Sequence, residues 1–188
     1  MLFLRTVFVF GLIIGGMGLA WQFFPGKSKL LLTRTEPHFP VVSGNNLDRQ
    51  ELEFPRDFAG EHNLVIVAFQ QYHQLKVNTW IPFAQETEAS FPGFVYYELP
   101  TISAMPTLSR TFINEGMRAG IPDQTARERT VTLYLNKQGF KTALAIPNEK
   151  DIYLFLVDRD GSILWQSSGD YTPDKAAGLL QALQELRK

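Results

Sequence analysis

The residues best placed for chemistry are His73 and its neighbours Gln70, Gln71, Tyr72, Gln74 and Lys76, a polar cluster between an apolar run and a helical one. An imidazole there can act as a base or take a metal ion. Either use needs a second group, and His38 and His62 are isolated, with no other side chain at metal-ligand spacing. The plainer reading is a turn histidine exposed to solvent. Tyr72 and Lys76 read either as a recognition surface or as ordinary turn and helix-start residues. Asp158 and Asp160 look like a carboxylate pair, but Asp-x-Asp-Gly between two apolar runs has turn geometry as a sufficient cause.

What is missing bounds the function more sharply. The chain has no cysteine, which removes disulfides, thiolate nucleophiles and cysteine metal sites together. It has no glycine-rich phosphate loop, no Gly-x-Ser-x-Gly elbow and no His-Glu-x-x-His helix. No cofactor is called for by any motif. Basic and acidic residues balance at 18 against 19, without a Lys/Arg cluster that could track phosphates, so a nucleic-acid partner is not expected.

The elements that must carry the His73 cluster are clear. Leu64 to Phe69 is apolar on consecutive residues, as in a strand covered on both faces of a mostly parallel sheet. After the Gln70 to His73 turn, a helix from about Gln74 to Ser90 carries Val77, Trp80, Ile81 and Ala84 near one face, with Pro82 expected to kink it. The C-terminal edge of such a sheet is where open α/β folds bind ligands. Upstream, Val41-Val42, a turn at Ser43-Gly44-Asn45-Asn46 and an alternating Leu52–Phe54 strand predict a β-hairpin. Downstream come a strand at Phe94–Tyr97, a helix through Met105, Leu108, Phe112, Ile113 and Met117, and a strand at Thr130–Leu135. A helix over Lys137–Ala145 follows, then a hairpin of Ile152–Val157 and Ser162–Trp165 around Asp158-Arg159-Asp160-Gly161. The last helix is capped by Thr172 with Pro173 at its first position. In the middle helix, Met105, Arg110, Met117 and Arg118 form a second candidate partner surface, since Met and Arg favour interfaces. A solvated helix face over the core explains them equally well.

The N-terminus is of other material. Thr6 to Phe24 has no charged residue, and at 1.5 Å per residue this run reaches about 28 Å, enough for a hydrocarbon core of ~30 Å. Residues 1–26 therefore read as a membrane anchor, or as a signal peptide cut after Ala20. The anchor is preferred because apolar character continues through Trp21, Phe23 and Phe24. Residues 27–38 read as a linker and 39–188 as the folded domain. The expected placement is single-pass, with the domain on the exported side. Basic residues alone would favour the opposite orientation.

The order of elements resembles the thioredoxin-like fold, in the expanded form of peroxiredoxins and membrane-tethered thiol oxidoreductases. Phe39-Pro40 to Phe69 looks like the redoxin entrance, and Phe155 to Ile163 like its strand, turn and return strand. The resemblance implies an α/β three-layer sandwich with a central mixed sheet, and it locates the place for a Cys-x-x-Cys pair. Counting forward from Phe69 gives Gln74, and counting back from Pro82 gives Val77, so Gln74-Leu75-Lys76-Val77 fills the slot without a thiol. The proline that usually faces the slot maps to Ile152. A narrower similarity is to the Atp10 family, thioredoxin-like membrane-associated proteins that help assemble the membrane sector of ATP synthase without depending on a Cys-x-x-Cys site. It rests on Ile152–Asp158 with Ile163-Leu164-Trp165, and on Arg110 to Pro122.

Two readings follow. One is a membrane-tethered, redox-inactive domain that binds a membrane-associated protein as an assembly or maturation factor, through Tyr72, His73, Gln74, Lys76 and Ile152 around the vacated slot. The other is a cysteine-free relative of redoxin enzymes that holds a small molecule or metal near His73.

Overall fold

A computed structural model describes residues 37–186; the expected anchor and most of the expected linker lie outside them. Among the described residues no helix is long and apolar enough to cross a membrane.

Seven strands form one mixed sheet in the order β2-β1-β5-β4-β3-β6-β7. Its centre is β3 (His62–Ala68), which runs parallel to β4 (Phe94–Ser103) and antiparallel to β6 (Tyr153–Asp158). β3 is consecutively apolar because both its faces are covered. Val65 and Val67 pack with Phe39, Phe54, Phe58 and Phe140 on one side, and Leu64 and Ile66 pack with Trp80, Leu179 and Leu183 on the other. Trp80 comes from α1 (Gln74–Ser90), Leu179 and Leu183 from α5 (Pro173–Glu185), and Phe140 from α4 (Lys137–Ala143). Helices therefore cover both faces, giving the three layers expected. β6 returns through the Asp158–Gly161 turn to β7 (Ile163–Ser168). Asp158 Oδ1 accepts the Ser162 N–H at 2.7 Å, and Gly161 takes φ +101°.

The entrance hairpin differs from the sequence expectation in its turn. Ser43 to Asn46 are strand, within β1 (Val42–Asn46), and the chain reverses only afterwards to enter β2 (Glu51–Phe54). Two causes act. A Cβ at Gly44 would stand 2.5 Å from the Thr132 carbonyl oxygen, so Gly44 permits close approach of β5 (Val131–Leu135) and makes no turn. The buried Asn46 side chain accepts the N–H groups of Asp48 and Gln50 at 3.0 and 2.8 Å, which places the turn after it.

Between β4 and β5 the chain forms α2 (Thr107–Gly120) and α3 (Gln124–Arg129). Leu133 and Leu135 of β5 join the α4 side of the sheet. Tyr134 between them therefore points to the other face, where its hydroxyl meets Asn114 of α2 at 2.8 Å. α2 thus lies on the same face as α1.

Candidate functional site

The site is the junction of β3 and α1, where a single 3₁₀ turn, Gln71–His73, leads directly into Gln74. His73 is not the exposed turn residue that its polar neighbours predict: it is fully buried, at 0% relative exposure. Its Nδ1 accepts the Phe69 N–H at 3.2 Å, and the Tyr72 ring stands edge-on to it at 4.7 Å. The turn folds the imidazole back beneath itself, where it satisfies the first backbone donor past the end of the strand. With Nδ1 accepting, the proton of the neutral ring sits on Nε2, which has no partner among the described residues. Burial, and secondarily the Lys76 charge, hold the imidazole below its ordinary pKa, so it stays neutral. With the ring buried and Nδ1 committed to the Phe69 N–H, neither nitrogen is open to solvent, and the visible role of the imidazole is to hold the turn against the strand end. Among the described residues no cluster of three or more His, Cys, Asp or Glu is arranged to hold a metal ion.

The slot residues divide by helical phase. Val77 is buried against the core that also holds Ile152, while Leu75 is 74% exposed and Tyr72 60%. Lys76 Nζ reaches Asp151 Oδ1 at 2.8 Å, and the same oxygen accepts the Ile152 N–H at 2.9 Å. Burial pushes the Asp151 carboxyl up, but the Lys76 and Ile152 donors outweigh it, and the net direction is down. The structure thus brings Ile152 and the slot together as the resemblance implies, with an ion pair bridging them.

Sequence reasoning missed Glu98. It is nearly buried on β4, and its Oε2 accepts from Gln74 Nε2 at 3.1 Å. Burial raises its pKa, with the Gln74 hydrogen bond opposing. The available signal was a lone acid inside the apolar Phe94–Leu99 strand. What remains accessible at the edge is the Tyr72 ring, the Leu75 side chain and the Gln74 amide, rimmed by a satisfied ion pair. Such a surface can recognise an apolar or amide-bearing partner, and it offers no thiol.

The second candidate surface is turned inward. Arg110 donates to the Met105 carbonyl at 2.7 Å and lies over the Tyr134 ring. Arg118 donates to the Leu47 carbonyl at 2.8 Å and pairs with Asp48. Met105 and Met117 are half-buried beside them. The two arginines fasten α2 to β5 and to the β1–β2 turn.

A central mixed sheet with helices on both faces and a slot between its middle strand and a proline-bearing helix defines a thioredoxin-like protein, one without the Cys-x-x-Cys pair. Solved structures agree at the level of the fold. A thiol:disulfide interchange protein from Bacteroides sp. superposes with TM-score 0.52 at 16% identity, covering 80% of this chain and 90% of that one. An electron transfer protein from Aquifex aeolicus VF5, so described provisionally, gives 0.55 at 10% identity over 79% and 96%. BsSco, a member of the Sco family of cytochrome c oxidase assembly proteins, gives 0.50 at 12% over 80% and 95%. No curated protein sequence matches the chain. Residues 36–186 match the family model described as ATP10 protein, and the chain belongs to that family.

Proposed function

We propose that this protein is a membrane-tethered assembly factor that binds a membrane-associated protein, a subunit of the ATP synthase membrane sector, and carries out no thiol chemistry itself. The observation that carries the reading is a thioredoxin-like site of the ATP10 family whose slot holds Gln74-Leu75-Lys76-Val77. Thiol–disulfide exchange requires an attacking thiolate, and the chain contains no cysteine to form one. In its place the edge offers Tyr72 and Leu75 to a partner; tyrosine is among the residues enriched at protein interfaces, and Leu75 extends the apolar area beside it. One solved neighbour, BsSco, is likewise a member of a family of assembly proteins, those of cytochrome c oxidase. The uncharged run Thr6 to Phe24 would hold the domain at the membrane surface, with the domain on the exported side.

Affinity capture of the full-length chain from gently solubilised membranes tests this. Wild type should retain ATP synthase membrane subunits, and a Tyr72→Ser/Leu75→Ser variant should lose at least ten-fold of that capture while remaining folded by circular dichroism. Equal capture by both proteins would remove the edge from the reading. Absence of those subunits from the wild-type capture would remove the partner.

A further inference from the structure

Helix α2 buries no residue completely. Its inward stripe is Arg110, Ile113, Asn114, Met117 and Arg118, all half-buried, and its outward ridge begins with Leu108 at 88% exposure and Phe112 at 82%. One turn further along, the same outward side changes character to Gly116 and Ala119, both exposed. Nothing in the fold asks for glycine at 116, because a Cβ built there meets no atom within 4 Å. An exposed mid-helix glycine is less stable than alanine, and no packing contact among the described residues requires it. Charge is nearly absent from this side. Glu115 is the one ionic group facing out, and Arg49 grips it from two nitrogens at 2.9 to 3.1 Å.

We propose that this ridge is a contact between two copies of the chain, with the α2 helices antiparallel about a two-fold axis. A two-fold interface must be self-complementary, and a ridge that is bulky in one half and small in the other meets that demand in one orientation. Run antiparallel, Phe112 of each copy seats over Gly116 of the second copy, and Leu108 seats over Ala119. Run parallel, Phe112 would meet Phe112 and leave Gly116 facing Gly116 across a void. Two copies of one surface usually bring like charges together, and here the sole outward charge is already neutralised by Arg49. Antiparallel helix dipoles also attract. The area is modest, since a helix about 21 Å long covers less than the roughly 800 Å² per partner of a standard interface. The association belongs to the transient class.

The absence of cysteine makes the test clean. Leu108→Cys, Ala119→Cys and the double variant are made in the full-length chain, purified in mild detergent, and oxidised with diamide. Within one helix the two positions are about 16 Å apart, beyond the Cα separation of ~4.4–6.8 Å that a disulfide spans. The pair can therefore close only between copies. The double variant, or a mixture of the two single variants, should give a covalent dimer on a non-reducing gel, at least ten-fold more than either single variant alone. Gly116→Leu in the double background should cut that yield at least ten-fold without lowering the melting temperature, since the side chain enters open space in the monomer. The proposal is overturned by no dimer above the single-variant level, by a Leu108→Cys dimer equal to that of the double variant, or by a yield indifferent to Gly116→Leu. Cross-linking to a different protein in intact membranes, in place of the dimer, would overturn it as well and assign the ridge to that partner.

Discussion

Helices α1 and α2 each follow a parallel strand, and both lie on one face of the sheet. α1 buries Val77, Trp80, Ala84 and Thr87, and the Trp80 indole donates to the Gly169 carbonyl at 2.9 Å, tying the helix to the loop before α5. α2 buries no residue completely and is held by Arg110, Arg118 and Tyr134, through polar contacts and a cation over a ring. The first helix is attached by apolar area, which scales with stability; the second by hydrogen bonds, which contribute little net. α1 thus buries its largest apolar side chain completely, whereas α2 half-buries Ile113 and Met117 and leaves Leu108 and Phe112 in water.

The sharpest way to break this contrast is to remove the anchor of α1. Trp80→Ala deletes the largest fully buried side chain among the described residues and a buried hydrogen bond. It should cost about 3–5 kcal/mol, read as a fall in the urea midpoint. A loss under 1 kcal/mol would mean that α1 is no more firmly seated than α2.

His73→Ala comes next. It opens a small cavity and leaves the Phe69 N–H without its acceptor, for an expected loss of about 2 kcal/mol. Because the ring is buried and neutral, the folded variant should keep its partner capture. Loss of capture with unchanged stability would return His73 to a functional role.

Glu98 gives the contrast a pH dependence. Its folded pKa is raised above the ordinary value of 4.5, so above pH 4.5 the unfolded chain gives up this proton first and the folded chain retains more. Stability then falls as pH rises from 4.5 towards the folded pKa. Glu98→Gln keeps an acceptor for Gln74 and removes the titration. The variant should gain stability over wild type at pH 7.5, and the gain should shrink at pH 4. Urea unfolding at the two values checks it, and a gain that is equal at both would show that Glu98 does not carry the dependence.

The order of elements was legible because each rests on local chemistry: the consecutive apolar run of β3, the Asp158–Gly161 turn, and the Thr172-Pro173 start of α5. The slot and its junction with Ile152 were legible through spacing. What stayed hidden has long-range causes. Gly44 reads as a turn residue until β5 is placed against it, and His73 reads as exposed until the 3₁₀ turn folds it beneath Phe69. The inward side of α2 was undecidable from its own residues, since Ile113 and Met117 mark one apolar side and Leu108 and Phe112 another. Leu47 and Asp48, far away in the chain, make the choice by receiving Arg118.

The smallest effect expected is also the one that separates the helices most cleanly. Phe112→Ser removes an aromatic side chain as Trp80→Ala does, yet it takes that group from water and not from the core. Surface changes of this kind lie within about ±0.5 kcal/mol. Leu108→Ser should behave alike, and the two together should lose no more than about 1 kcal/mol in a monomer, since as i,i+4 neighbours they couple to each other by only about 0.2–0.5 kcal/mol. Urea unfolding at a concentration low enough to keep the chain monomeric measures this directly. A double-variant loss above 1 kcal/mol would mean that Leu108 and Phe112 stabilise the single chain, and the outward ridge of α2 would then be part of the fold and not a surface kept for a second molecule.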